Sequence, residues 1–222
     1  MNADHYLKYF PAGDAALIIK AGDDISETVN RTVRKLLFRI EQEDLTGVID
    51  YIPSYNELMV CYDPCVIAYR QLVDKLQRLE ADTDAIILPE SKIIEVPVLY
   101  GGEAGPDLAE VAEKTRLPEQ EVIRIHSSVR YTVYMLGFTP GFCYLGGMDE
   151  RIATPRKQSP RLKIAAGAVG IADKQTGIYP LESPGGWQVI GRTPLQLFDP
   201  DRDPVFLFNP GDRIQFYPVP AI

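Results

Sequence analysis

Cysteine, histidine and tryptophan are scarce, with three, two and one among 222 residues. Three cysteines, Cys61, Cys65 and Cys143, cannot complete a disulfide framework, which points to a reducing compartment. Cys61 and Cys65 form a C-x3-C pair with no histidine pair beside it, a poor zinc ligand set, so no metal is expected. No apolar run approaches the ~20 residues of a membrane helix. The opening residues MNADHYLKYF lack a basic segment followed by an apolar one. The cytoplasm is therefore the expected location, with no membrane partner. Basic residues are outnumbered, 23 Lys and Arg against 31 Asp and Glu, giving a net charge of −8. That balance argues against a nucleic-acid duplex or an anionic membrane as the main partner. Nucleotide and hydrolase motifs are absent as well. Ala165-Ala-Gly-Ala-Val-Gly170 has no lysine after its second glycine and is not a P-loop, and neither a kinase motif set nor a G-x-S-x-G elbow occurs.

What is present divides the chain in two. Residues 1–90 hold 3 of 17 glycines and 4 of 18 prolines, and carry 9 basic against 16 acidic residues, a net of −7. The remainder is turn-rich and nearly neutral, at −1. A glycine- and proline-rich region suits short strands in a barrel or sandwich, and a poor one suits longer elements. This composition predicts a small α+β domain over 1–88 and a mainly β domain over 89–222.

In the first region Ala15–Lys20 reads as a strand, and Asp24 with Glu27 reads as a helix start. Ile25, Val29, Val33, Leu36, Leu37 and Ile40 follow at helical spacing. Two strands, at 47–52 and 57–62, flank a turn. Asp63-Pro64 reads as a cap and first helical position, followed by an apolar face from Val66 to Leu79. A further strand is expected at 85–88. In the second region 92–99, 131–137, 205–208 and 214–217 read as strands, with short helices after Pro106 and Pro118. Asn209-Pro-Gly-Asp is a turn signal.

Few residues offer chemistry. His5 lies near a terminus. His126, at the end of a predicted helix, is either a proton-transfer group or a helix-end histidine bonded to a carbonyl. In the 137–147 loop, Gly137, Gly141, Gly146 and Gly147 permit close backbone approach, while Phe138, Phe142 and Tyr144 either wall a pocket or turn a barrel corner. Cys143 in that loop reads as packing. Residues 151–163 carry Arg151, Arg156, Lys157, Arg161 and Lys163 with no acid. This stretch suits an anionic ligand, a solvated basic loop or an acidic partner equally well. Trp187, in Ser183-Pro-Gly-Gly-Trp187, floors a pocket, anchors an interface or packs in a core.

One ordered set of strings is more specific. It comprises His126-Ser-Ser-Val-Arg-Tyr131, Gly137-Phe-Thr-Pro-Gly-Phe-Cys-Tyr-Leu145, Thr154-Pro-Arg156, Pro160-Arg-Leu162, Gln175-Thr-Gly-Ile-Tyr-Pro180, Ser183-Pro-Gly-Gly-Trp187 and Pro210-Gly-Asp212. In order and spacing this set resembles the allophanate hydrolase subunit 1 family over most of 92–220, with Gly105-Pro-Asp-Leu108 fitting upstream. Cys143 and Ala168 stand where that family often has proline and serine.

The resemblance implies a cyclophilin-like β-barrel for 89–222. It implies a component of an assembly that hydrolyses 5-oxo-L-proline to L-glutamate with ATP, inactive alone and partnered by subunits C and A. Another member type implied by the resemblance inhibits a sporulation histidine kinase. Prolyl isomerisation ranks below both, because a fold does not carry an activity. The expected catalytic residues are His126 and Arg161. Arg156, Phe138, Phe142, Gly141 and Trp187 are expected to bind substrate.

Overall fold

The computed structural model describes residues 7–81 and 83–221; His5 lies outside them. The chain divides into two compact units, residues 1–90 and 91–222.

The first unit is an antiparallel sheet with two helices. Its strands are β1 (Lys8–Pro11), β2 (Ala16–Lys20), β3 (Val48–Pro53) and β4 (Glu57–Tyr62), in the order β1-β2-β4-β3. Leu17 and Ile19 of β2 and Leu58, Val60 and Tyr62 of β4 alternate onto one face. There they join Val33, Leu36 and Ile40 of α1 (Glu27–Glu41) and Leu72 and Leu76 of α2 (Tyr69–Glu80) in one core. Each such buried side chain contributes roughly 1.5–3 kcal/mol.

The helix boundaries differ from the sequence expectation for local reasons. Ser26, not Asp24, caps α1, its Oγ accepting from the Val29 amide at 3.3 Å, so Ile25 falls outside the helix and stays exposed. Asp63 accepts from the Cys65 amide at 2.8 Å and closes a turn instead of starting α2. Val66 is consequently exposed, and α2 begins at Tyr69. The strand expected at 85–88 is absent: a single 3₁₀ turn, Thr83–Ala85, is followed by unpaired chain in which Ile87 is exposed.

The second unit is built on a closed seven-stranded barrel. Its elements in chain order are β5 (Ile93–Tyr100), α3 (Leu108–Thr115), α4 (Glu119–Ser128), β6 (Arg130–Leu136), β7 (Cys143–Gly146), β8 (Arg161–Ile164), β9 (Ala168–Ala172), β10 (Gln175–Ile178), β11 (Ser183–Gly185), β12 (Gln188–Arg192) and β13 (Arg213–Pro218). Around the barrel the order is β10-β7-β6-β13-β5-β12-β9, and β9 pairs back to β10. Only β5 and β13 run parallel. Strands β8 and β11 form a separate ribbon.

The barrel wall is buried on both sides along β9. Val169 and Ile171 join the main core with Val98, Leu145, Ile190 and Phe216. The alternate residues Ala168 and Ala172 join a second cluster with Phe142, Tyr179 and Trp187. The strand expected at 205–208 is absent. Pro204 supplies no amide hydrogen to a ladder, and the segment makes one bridge, Phe198 to Phe206, while Phe208 is spent in the main core. The turn at 209–212 forms as expected: Asp212 accepts from the Asn209 amide at 2.8 Å and from the Lys92 amide at 3.2 Å. Among the described residues, no helix is long and apolar enough to cross a membrane.

Candidate functional site

The acid-free stretch 151–163 finds its acids elsewhere in the chain. Asp107, at the start of α3, is almost fully buried. Its Oδ2 accepts from Arg161 Nη1 at 2.6 Å and its Oδ1 from Nη2 at 2.6 Å, a two-pronged pair. Lys157 Nζ donates to Asp107 at 3.0 Å and to Glu110 at 2.7 Å, and the Val189 amide donates to Asp107 at 2.7 Å. Burial pushes the Asp107 carboxyl up, but the bonds from Arg161, Lys157 and Val189 outweigh it and hold the group below the usual carboxylate range. Hydrogen bonds from Lys114 and Lys157 bring Glu110 down to about 2. Arg151 pairs with Asp149, and Lys163 with Glu182.

Arg156 is different. It is exposed and makes no ion pair among the described residues, although both neighbours are fixed. The Pro155 carbonyl accepts from Gln188 Nε2 at 3.0 Å, and the Lys157 amide donates to the Gly186 carbonyl at 2.7 Å. The Arg156 charge acts on two phenols. Burial raises Tyr144, and Arg156 opposes that rise. Burial brings Tyr179 up to about 12, opposed by the Trp187 amide and by Arg156 and Arg161.

Those phenols belong to an aromatic wall on the outer side of the barrel. Phe142 lies at its centre, with ring centroids 4.7 Å from Tyr144, 5.0 Å from Tyr179, 5.4 Å from Trp187 and 5.6 Å from Phe138, all edge-to-face. Glycine makes the wall possible. A Cβ at Gly177 would stand 2.7 Å from the Cys143 carbonyl and 3.0 Å from the Trp187 ring. Gly141 has φ +81°, and its Cβ would meet Phe198 at 2.9 Å. Phe138 is also in the left-handed region, at φ 67°, with 62% of its surface exposed at the rim. A bulky residue held there stores backbone strain.

His126 lies on the other side of the barrel wall. No part of it reaches solvent. Thr176 donates to the Gly170 carbonyl at 2.9 Å, so its oxygen accepts from His126 Nε2 at 2.9 Å. Nδ1 is then the unprotonated nitrogen and accepts from the Tyr100 hydroxyl at 2.7 Å. Phe216 stacks on the ring at 4.7 Å, and Tyr131 bonds the His126 carbonyl at 2.8 Å. Burial brings the imidazole down to about 3. The result is a neutral core histidine with both nitrogens engaged and no exposed ring atom through which to exchange a proton with a ligand. Cys143 is likewise buried, its thiol pushed up to about 12 by desolvation, and is no thiolate nucleophile.

The structure thus gathers Phe138, Gly141, Phe142 and Trp187 in one aromatic region, with the Arg156 charge acting on it. It engages Arg161 with Asp107 and separates His126 from the group. Residues 7–208 match the carboxyltransferase domain, subdomain C and D. The chain belongs to that family, the allophanate hydrolase subunit 1 family. Within it the chain is 45% identical over 218 residues to the B subunit of the 5-oxoprolinase of Bacillus subtilis (strain 168), covering 92% of this chain and 89% of that protein. It is 43% identical over 208 residues to the corresponding 5-oxoprolinase component of Escherichia coli O157:H7, covering 93% of each. The crystal structure of TTHA0988 superposes with a TM-score of 0.82 at 36% identity over 93% of this chain, which spans only 40% of that longer polypeptide.

Sequence patterning in this carboxyltransferase C/D chain does not single out Asp107, Glu110, Tyr179 or Gln188. Asp107 and Tyr179 do stand within family strings, Gly105-Pro-Asp-Leu108 and Gln175-Thr-Gly-Ile-Tyr-Pro180. An aspartate before a helix ordinarily reads as a cap, which masks its role as an ion-pair partner.

Proposed function

We propose that this chain is the subunit of a 5-oxoprolinase assembly that holds the carboxylate and ring of 5-oxo-L-proline during conversion to L-glutamate. The reading rests on one observation: Arg156 is an exposed guanidinium, without an ion-pair partner among the described residues, on a fixed backbone, with its charge felt at an aromatic wall. A guanidinium suits a carboxylate, and aromatic edges suit a small apolar ring. The 5-oxoprolinase relatives supply the reaction.

In this reading Arg156 is the binding cation and the exposed Phe138 meets the ring, with Phe142 and Trp187 buried behind it as its support. Arg161, whose terminal nitrogens are bonded to Asp107, organises the loop. His126 supports the barrel from inside. We assign the barrel to the cyclophilin-like class and read the two units as separate domains. Subunits C and A are the proposed partners, in the cytoplasm. ATP belongs with them: Lys157, Arg161, Lys163 and Arg151 are paired with the chain's own carboxylates, so these residues do not fit a triphosphate. No step through ATP is assigned to this chain.

Reconstitution tests the reading. Subunits A and C with ATP should form glutamate from 5-oxoproline only when this chain is added, and the chain alone should form none. Undiminished glutamate production without it would remove the enzymatic role.

A further inference from the structure

The Arg156 guanidinium has no ion-pair partner among the described residues, but the chain around it is held: Thr154 pairs with Asp173, the Lys157 amide bonds Gly186, and one carboxylate grips two side chains of the same loop. Asp107 grips the basic loop twice: at Lys157, one residue beyond Arg156, and at Arg161, where β8 begins. Asp107 is itself locked to β12, its amide donating to the Val189 carbonyl at 2.9 Å and its Oδ2 accepting from the Val189 amide. On the other side of Arg156, Gln188 of the same strand holds Pro155. Strand β12 and the start of α3 therefore form a frame to which the loop is tied by the buried acid at two side chains, by Gln188 at Pro155 and by Glu110 at Lys157.

We infer that Asp107 is a positioning residue: it sets where Arg156 stands relative to Tyr144 and Tyr179, and so governs ligand affinity without touching ligand. This inference rests on the proposed function of the same site. The physics is asymmetric. Lys157 and Arg161 are partly shielded cations, at 21% and 30% side-chain exposure; they share Asp107, and Glu110 also pairs with Lys157. Neutralising Asp107 leaves two like charges close together beside a weakened anchor. The loop then loses its side-chain grips on Asp107 at Lys157 and Arg161 and keeps its bonds to Gly186, Gln188 and Glu110, so Arg156 shifts and ranges more widely beside Tyr144 and Tyr179. Loss of preorganisation costs binding at the guanidinium. A group that contacts only the bound carboxylate contributes equally in the ground and transition states, so the loss falls on KM and spares kcat.

The test is a double-mutant cycle in the assembly reconstituted with subunits A and C. Asp107→Asn, Arg156→Ala and the double variant are compared for KM and kcat with 5-oxo-L-proline, and each variant's Tm is recorded. We expect Asp107→Asn to raise KM about tenfold or more with kcat within about threefold. In the Arg156→Ala background the same change should add less than about twofold, because its route to the ligand is already gone. If Asp107→Asn does not fold, Lys157→Met serves as the milder variant, removing one grip and leaving the Asp107–Arg161 pair. Lys157→Arg should then restore most of the lost affinity. An unchanged KM in the folded variant, or KM effects that multiply fully in the double variant, would overturn the inference. A chain that glutamate formation requires, but whose Asp107 and Arg156 are uncoupled, sinks this inference alone. A chain that glutamate formation does not require sinks the proposed function.

Discussion

His126 illustrates how the same residue can suit two roles until its burial is known. Its position at the end of a predicted helix is visible in the sequence, but its two bonds are not, because Tyr100 and Thr176 lie 26 and 50 residues away. Its environment gives a specific pH signature. The folded state keeps the imidazole neutral down to about pH 3, while the unfolded chain takes up a proton near pH 6.5. The lowered folded value means the unfolded state binds more protons below pH 6.5, so stability falls as pH falls through the window from 6.5 to 3. The expected loss is about 1.4 kcal/mol per pH unit. Between pH 6.5 and about pH 5 most carboxylates remain ionised, which isolates the histidine. Urea unfolding of the wild type should lose about 2 kcal/mol over that interval, and His126→Gln should lose far less. Equal pH slopes in both proteins would contradict a neutral buried imidazole. Cys143→Ser should leave ligand affinity unchanged, because the thiol faces the core and not the aromatic wall.

The glycines of the barrel strands are an element-scale feature, and their distribution is legible in the sequence only as a turn-rich composition. Gly177 lies within β10, where an isolated strand glycine normally weakens the ladder. Here it clears space for Trp187 and Phe142 on the outer face. Gly177→Ala should destabilise the second unit by roughly 1–3 kcal/mol through overpacking and shift Trp187 fluorescence. A neutral effect on both would show that the wall tolerates displacement. The basic stretch teaches the complementary lesson. Its charge excess is plain in the sequence, yet four of its five cations are paired, chiefly with acids contributed by α3 and the chain beside the ribbon. Local charge counting cannot see Asp107 and Glu110, which stand about fifty residues upstream at the start of α3. The strands at 93–100 and 213–218 are legible because their apolar pattern is period-two and bounded by turn residues. Those expected at 85–88 and 205–208 do not form: a short apolar run does not by itself fix a strand, and Ile87 and Val205 end exposed outside any strand.

For the whole molecule, the division into a glycine-poor and a glycine-rich region coincides with two compact units and a closed barrel in the second. The family is legible from the strings between His126 and Asp212, since turn residues and aromatics at fixed spacing are what the barrel loops require. The proposed binding cation is less so. Each of Arg156 and Arg161 follows a proline, and from the sequence the catalytic role is expected of Arg161 and substrate binding of Arg156; the position of Asp107 shows which arginine is paired and which is left facing solvent. The steady-state KM for 5-oxo-L-proline of the assembly carrying Arg156→Ala tests this directly. Losing a charged hydrogen bond to the carboxylate should raise KM about 10- to 100-fold, with kcat within about threefold and the variant's Tm close to wild type. A well-folded Arg156→Ala variant that assembles normally and retains the wild-type KM would contradict it.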